Sequence, residues 1–345
     1  MKNPVVVDRA DLTITTTDGA FAGINFHTWR ALARALRWAD SACPLPSDDS
    51  LGGRVGLQVY CGTANPALAT DVAARLGRPL GQRILRRFSD GEVHVQIQES
   101  IRGEDIYVIQ STCPPVNEHL MELLIMIDAF HRAAAGRISA VIPYYGYSRQ
   151  EKKSTGREPI TARLVADLLT AAGADRVVSI DLHTPAIQGF FDIWMDHLTA
   201  VPILASYLMS TRRPDSVVVA PDVGRVKLAD RYAQVLQVPL VVMHKRRPRP
   251  EVARVKVVVG DVQGTSPIIV DDIIATGGTV EESVEALLAA GARPDIRVAV
   301  VHPLLTDGAV DRLRHPAIAE VVVTDTVPVP DEKRLDKLTV LTIAD

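Results

Sequence analysis

Two adjacent carboxylates, Asp271 and Asp272, precede a small-residue loop, Thr276-Gly277-Gly278-Thr279, by four positions. An apolar run, Pro267-Ile268-Ile269-Val270, leads into the acids and reads as a buried strand; a helix is expected from Val280 to about Ala290. Free backbone N–H groups at a helix start, together with the helix dipole, form a seat for an anion. The glycines let the backbone curl closely around a phosphate, and the two threonines add hydroxyl donors. Two acids beside such a seat would repel a bare phosphate, so they are expected to grip hydroxyl groups or a metal ion. A phosphorylated sugar supplies both chemistries.

Three further segments place functional residue types just after apolar runs. Pro143 to Lys153 carries Arg149, Lys152 and Lys153 and leads through Arg157 into a helical pattern. A basic cluster at a strand end suits polyphosphate. Asp181-Leu182-His183-Thr184-Pro185 ends another strand, and His244-Lys245-Arg246-Arg247-Pro248-Arg249 a third. Singly, each could be a solvated charge run or a structural histidine. Jointly they matter more, because open α/β sheets bind ligands beyond the carboxyl ends of their strands.

The elements that must position these groups alternate from Val55 onward. Strands are expected at Leu57–Cys61, Asp105–Gln110, Ile138–Tyr144, Arg176–Ile180, Val217–Ala220, Leu240–Met243, Ile268–Val270, Val298–Val301 and Val321–Val323. Helices are expected at Asn65–Leu76, capped by Asn65, and at Val116–Ala135 and Thr161–Ala172. Alternation of this kind predicts an α/β fold with parallel sheets covered on both faces. It runs through two successive halves with a boundary near Ala200-Val201-Pro202. Three domains follow: an extension at 1–54 and halves at 55–200 and 201–345. Within the extension, Trp29, Leu32, Ala33 and Leu36 share one face of an expected helix from Phe26 to Ala39, read as packing on the protein itself or its oligomer.

Composition narrows the classes of function. With 345 residues, 47% hydrophobic and 23% charged, the chain is of ordinary globular make-up and large enough for two cores. A formal charge of −3 gives no footprint for nucleic acid or membrane partners. Cys43, Cys61 and Cys113 lie far apart, have no metal-ligand spacing, and fit a reducing, cytoplasmic setting. No apolar stretch is long enough to span a membrane, and no secretory signal is evident.

The Asp271–Thr279 segment resembles the phosphoribosyl-diphosphate (PRPP) motif of the type I phosphoribosyltransferase fold. Longer runs carry the likeness further: Arg87-Phe88-Ser89-Asp90-Gly91-Glu92, Pro115-Val116-Asn117-Glu118, Ile142 to Tyr147, Asp181-Leu182-His183, Ile187 to Asp192 and Lys245-Arg246-Arg247-Pro248. In that order, over about Val55 to Asp345, they resemble the ribose-phosphate diphosphokinase (PRPP synthase) family. The resemblance implies two phosphoribosyltransferase-type domains, each a mostly parallel sheet flanked by helices, and transfer of a diphosphoryl group from ATP to O1 of ribose 5-phosphate. It implies that Asp271 and Asp272 hold the ribose hydroxyls and that Thr276, Gly277, Gly278 and Thr279 hold the 5-phosphate. Arg149 and Gln150 would contact ATP, as would Phe88, Asp90 and Glu92 reaching in from a neighbouring subunit. His183 and Asp222 would bind Mg²⁺, and Lys245 and Arg247 would close over the transferring group. A homo-oligomer, most often a hexamer, is implied as well. The chain departs from the pattern at Ala275, where a third aspartate is frequent, and in the segment Pro221-Asp222-Val223-Gly224-Arg225, where a second glycine is common. Residues 1–54 have no counterpart in it, and members generally continue past the position of Asp345 into another helix. The alternative functions are a regulatory relative without catalysis and a transferase that consumes PRPP.

Overall fold

Hydrophobic strands of the Ser-Val-Val-Val-Ala type can be buried on both faces only if helices cover them, and the computed structural model shows that arrangement twice between Val55 and Asp345. It describes residues 6–7, 14–15, 56–246 and 255–344. Two compact units are present, Met1–Arg54 and Val55–Asp345. In the first, β1 (Val6–Val7) pairs antiparallel with β2 (Ile14–Thr15). The helix expected at Phe26–Ala39 lies outside the described residues.

The second unit opens with a five-stranded, all-parallel sheet. Its strands are β3 (Leu57–Cys61), β6 (Asp105–Ile109), β7 (Arg137–Ile142), β8 (Arg176–Ile180) and β9 (Trp194–Leu198), side by side in that order. Between β3 and β6 the chain makes an antiparallel hairpin, β4 (Arg83–Arg87) and β5 (Val93–Ile97). Helices α1 (Pro66–Arg75), α2 (Val116–Arg132) and α3 (Thr161–Ala172) form the crossovers. Asn65 caps α1 as expected, accepting from Leu68 N at 3.3 Å. Leu123, Ile127 and Phe130 of α2, spaced for one helical face, bury with Tyr60, Ile106 and Ile138.

The second sheet has seven strands: β10 (Ser216–Ala220), β11 (Leu240–Arg246), β12 (Val255–Val259), β13 (Ser266–Ile274), β14 (Ile296–Pro303), β15 (Ile318–Thr324) and β16 (Leu338–Leu341). The order is β12-β11-β10-β13-β14-β15-β16, parallel except between β11 and β12. Helices α4 (Val201–Ser210), α5 (Val226–Leu236), α6 (Gly278–Ala289) and α7 (Ala309–Leu313) accompany it. Side chains of β13 alternate between two cores: Ile269 packs with Val284 and Leu287 of α6, whereas Ile268 and Val270 pack with Tyr232 and Leu236 of α5. Such two-sided burial, at about 1.5–3 kcal/mol for each large aliphatic side chain, fixes the central strand that carries the acids.

The two sheets meet at a small apolar seam of Ala64, Cys113, Tyr144, Leu304 and Val327. Hydrogen bonds cross it: Asn65 Nδ2 donates to Asp325 O at 2.7 Å, Ser111 Oγ to Thr326 O at 2.5 Å, and His302 Nε2 lies 3.1 Å from Asp181 O. These contacts bring the carboxyl ends of β8, β10 and β13 into one cleft.

Candidate active site

Asp271 and Asp272 lie within β13, which continues to Ile274 rather than ending at the acids. Both are buried. Asp272 N donates to Asp271 Oδ1 at 2.8 Å. Two buried like charges in contact need a cation, and Arg225 supplies it: Nε lies 3.0 Å from Asp271 Oδ1, and Nη2 3.0 Å from Asp272 Oδ1. His183 Nδ1 donates to Asp272 Oδ2 at 2.8 Å. Burial and the Asp272 charge push the Asp271 carboxyl well above the usual carboxylate range. At Asp272 burial acts in the same upward direction, but the hydrogen bonds from His183 and Asp271 and the Arg225 charge outweigh it and hold the group down at about 2.

Past the acids the backbone turns at Gly277, whose φ is +77°, a conformation glycine adopts without strain, and α6 starts at Gly278, two residues before the expected start at Val280. Arg312 Nη1 donates to Thr276 O at 2.8 Å, and its Nε donates to Glu281 Oε2 at 2.8 Å. Thus one loop carbonyl is tied away from the helix start, where backbone amides converge. Thr276 to Thr279, both acids, Asp222, Arg225, His183 and Arg149 line one cavity of about 270 Å³.

His183 reaches this cavity because the chain bends sharply after β8. Asp181 takes φ +37°, and its carboxylate accepts from Thr199 Oγ1 and Ala200 N, both at 2.7 Å. Left-handed backbone at a non-glycine residue persists only where neighbours enforce it. Leu182 N donates to His197 Nε2 at 2.9 Å, which fixes the loop from the other side. Asp222 caps the short turn after β10, its Oδ1 accepting from Gly224 N at 2.8 Å and Arg225 N at 3.1 Å. A second cavity of about 660 Å³ shares His183, Asp222, Arg225 and Asp272, and adds Lys152, Lys227 and Arg231. With Arg225 these make four cations, facing Glu151, Asp181, Asp222 and Asp272, a mixed lining that suits a polyanion carrying a metal ion.

The other expected residues fall elsewhere. Gln150 Oε1 accepts from Thr161 Oγ1 at 2.6 Å, and Gln150 lines a separate cavity of about 280 Å³ that shares Arg149. Phe88, Asp90 and Glu92 occupy the turn between β4 and β5, where Phe88 N donates to Glu92 O at 2.8 Å. They do not line the acid-pair cavity of their own chain, and Phe88 is 45% exposed. Lys245 has its backbone in β11, opposite Lys256, while Arg247 lies outside the described residues. Sequence reasoning did not assign Arg225, Lys227 or Arg231 to the site. The available signal was an acid cap at Asp222 followed by cations at spacings of three, five and nine.

A family profile for the N-terminal domain of ribose phosphate pyrophosphokinase matches residues 57–173, and one for the phosphoribosyl transferase domain matches 198–331. The ribose-phosphate pyrophosphokinase of Caldanaerobacter subterraneus subsp. tengcongensis is 52% identical over 289 residues, covering 84% of this chain and 91% of the relative. This chain belongs to the ribose-phosphate pyrophosphokinase family. The Bacillus subtilis pyrophosphokinase is 48% identical over 291 residues, covering 84% of this chain and 92% of that protein. Among solved structures, phosphoribosylpyrophosphate synthetase from Mycobacterium smegmatis superposes with a TM-score of 0.79 at 47% identity, covering 84% of this chain and 95% of that one. Family membership agrees with the α/β architecture expected from the strand–helix alternation.

Proposed function

We infer that this protein is a ribose-phosphate diphosphokinase, transferring the β,γ-diphosphoryl group of ATP to O1 of ribose 5-phosphate to give PRPP and AMP. One observation carries the reading: a buried acid pair and a helix-start loop share a single cavity with His183, Asp222 and Arg149. The loop amides and the hydroxyls of Thr276 and Thr279 take the 5-phosphate, and Asp271 and Asp272 accept from the ribose 2- and 3-hydroxyls. The domains are 55–200, which provides most of the ATP side, and 201–345, which provides the sugar side.

The triphosphate lies along the adjoining cavity, met by Lys152, Lys227 and Arg231, with Arg149 reaching it from the acid-pair cavity. Gln150 and, from a neighbouring copy, Phe88, Asp90 and Glu92 complete the nucleotide site. That arrangement requires a homo-oligomer, and a hexamer is our assignment. Phosphoryl transfer asks little covalent chemistry of a protein, so positioning and charge stabilisation dominate. Lys245 and Arg247 stabilise the equatorial oxygens of the group in transit.

Asp222 offers the oxygen donor that Mg²⁺ prefers, whereas the nitrogen of His183 is assigned to the ion on the family resemblance alone. With Nδ1–H turned to Asp272, the His183 ring keeps its lone pair on Nε2, where Arg225 Nη2 lies 3.3 Å away. Among the described residues no group of three or more His, Cys, Asp or Glu forms a metal cage. One carboxylate beside a polyphosphate can be enough for Mg²⁺, the phosphates and waters filling its remaining positions. When bound, it neutralises phosphate charge. Among the described residues no helix is long and apolar enough to cross a membrane, and a cytoplasmic setting completes the reading.

The test is direct. Incubation with ATP and ribose 5-phosphate should yield PRPP and AMP in equal amounts, and ATP alone should yield neither. No AMP under any Mg²⁺ concentration would favour a regulatory relative, and consumption of added PRPP would favour a nucleotide-forming transferase.

A further inference from the structure

The guanidinium of Arg225 is tied on three sides. Nε meets Asp271 Oδ1 at 3.0 Å, Nη2 meets Asp272 Oδ1 at 3.0 Å, and Nη1 donates to His183 O at 3.2 Å. Nη2 also lies 2.8 Å from His183 Nδ1, a contact that is no hydrogen bond while that nitrogen's proton goes to Asp272. The side chain is only 16% exposed. Its base is held too, because Arg225 N donates to Asp222 Oδ1 at 3.1 Å and the residue leads directly into α5. A surface arginine swinging at random has none of these restraints. Arginine suits the position because its planar fork can meet two carboxylates and a carbonyl at once, which the point charge of lysine cannot.

We propose that Arg225 is a built-in cation of the ribose site, meeting Asp271 and Asp272 in place of a divalent ion, so that ribose 5-phosphate engages the acid pair with no metal between them. Each carboxylate oxygen has two lone pairs. An oxygen already accepting from the guanidinium therefore keeps capacity for a ribose hydroxyl. A divalent ion bridging the same two carboxylates would stand within a few ångströms of the guanidinium, and like charges at that separation in a buried site repel strongly. The metal requirement is thereby confined to the phosphate side, at His183 and Asp222. This inference rests on the assignment of Asp271 and Asp272 to the ribose hydroxyls.

Isothermal titration of ribose 5-phosphate, without nucleotide, into the intact protein in EDTA and then in excess Mg²⁺ tests it. Wild type should bind in both buffers with dissociation constants within about threefold of each other. R225A should lose at least tenfold in EDTA and recover most of that loss in Mg²⁺, an ion now able to take the vacated place. R225K, which keeps a charge but not the fork, should fall between them. Melting curves in both buffers establish that each variant is folded; should R225A fail to fold, the comparison of wild type with R225K decides. Wild-type binding that disappears in EDTA, or variants that match wild type there, would overturn the proposal. Failure of wild type to bind ribose 5-phosphate even with Mg²⁺ would remove the ribose-site assignment itself.

Discussion

His183 Nδ1 donates to Asp272 Oδ2 across 2.8 Å, although the two residues stand 89 positions apart and come from different sheets. One acid thus orients the expected metal ligand while also facing the sugar. Asp272→Asn keeps the shape but removes the charge that both His183 and Arg225 use. A lost hydrogen bond to a charged group is worth about 1.5–3 kcal/mol. A fall in kcat/KM for ribose 5-phosphate of roughly 10- to 150-fold is expected. Initial rates across ribose 5-phosphate concentrations check it, and an unchanged kcat/KM would deny the acid its double role.

Gly277→Ala should harm the phosphate seat through the backbone alone. A methyl group there would meet Ala309 Cα at 3.4 Å, an ordinary contact, so space is not the obstacle. The obstacle is φ +77°, which costs a non-glycine residue about 1–2 kcal/mol. Chemical denaturation should register a loss of that size, and the KM for ribose 5-phosphate should rise. An equally stable variant with normal KM would mean that the loop relaxes freely.

Lys245→Ala should lower kcat by roughly 100-fold or more, as loss of one charge-stabilising donor does in other enzymes. Because the contact is assigned to the transition state, kcat and kcat/KM should fall together while KM for either substrate stays near normal. Normal turnover with a weakened ATP KM would assign Lys245 to ground-state binding instead.

Acid should loosen the His183 loop through His197. Its Nε2 accepts from Leu182 N, so the neutral ring is the one that holds the loop. Burial lowers its pKa below the ordinary histidine value, against an opposing pull from Asp181. A base with a depressed folded-state pKa contributes stability that is complete above the unfolded value of about 6.5 and is lost as pH falls toward the folded value. Wild-type Tm should therefore drop on acidification below about pH 6.5, and part of that slope should vanish in His197→Asn, which offers an uncharged acceptor. Parallel Tm–pH curves for the two proteins would remove His197 from the account.

The chemistry of the sugar side was legible in the sequence because it is local. Asp271, Asp272 and Thr276–Thr279 sit within nine residues, and strand, turn and helix signals agree around them. The partnership of His183 with Asp272 was not legible, since it depends on two sheets meeting at a seam of small side chains. Arg225 stands in sequence only as a departure from the family pattern, and the fold turns it onto the acids. The hairpin β4–β5 escaped for a different reason: Arg83-Ile84-Leu85-Arg86-Arg87 has no clean period-two pattern. The expected strand Leu240–Met243 is too short because β11 runs on into His244-Lys245-Arg246, polar residues whose backbone pairs with β12.

The seam that joins the sheets also bears on inheritance. Asn65, Ser111 and Asp181 on one side are matched to Asp325, Thr326 and His302 on the other. A chimera made by crossing this gene with a relative near Ala200 would inherit one set of partners from each parent. Its catalytic fitness would depend on whether Asn65, Ser111 and His302 are kept and still reach the backbone carbonyls opposite, even with every motif in both halves intact. Sequence drift at the seam is thus constrained on one side of each pair, at Asn65, Ser111 and His302, because the opposite partner is a backbone carbonyl that any residue supplies.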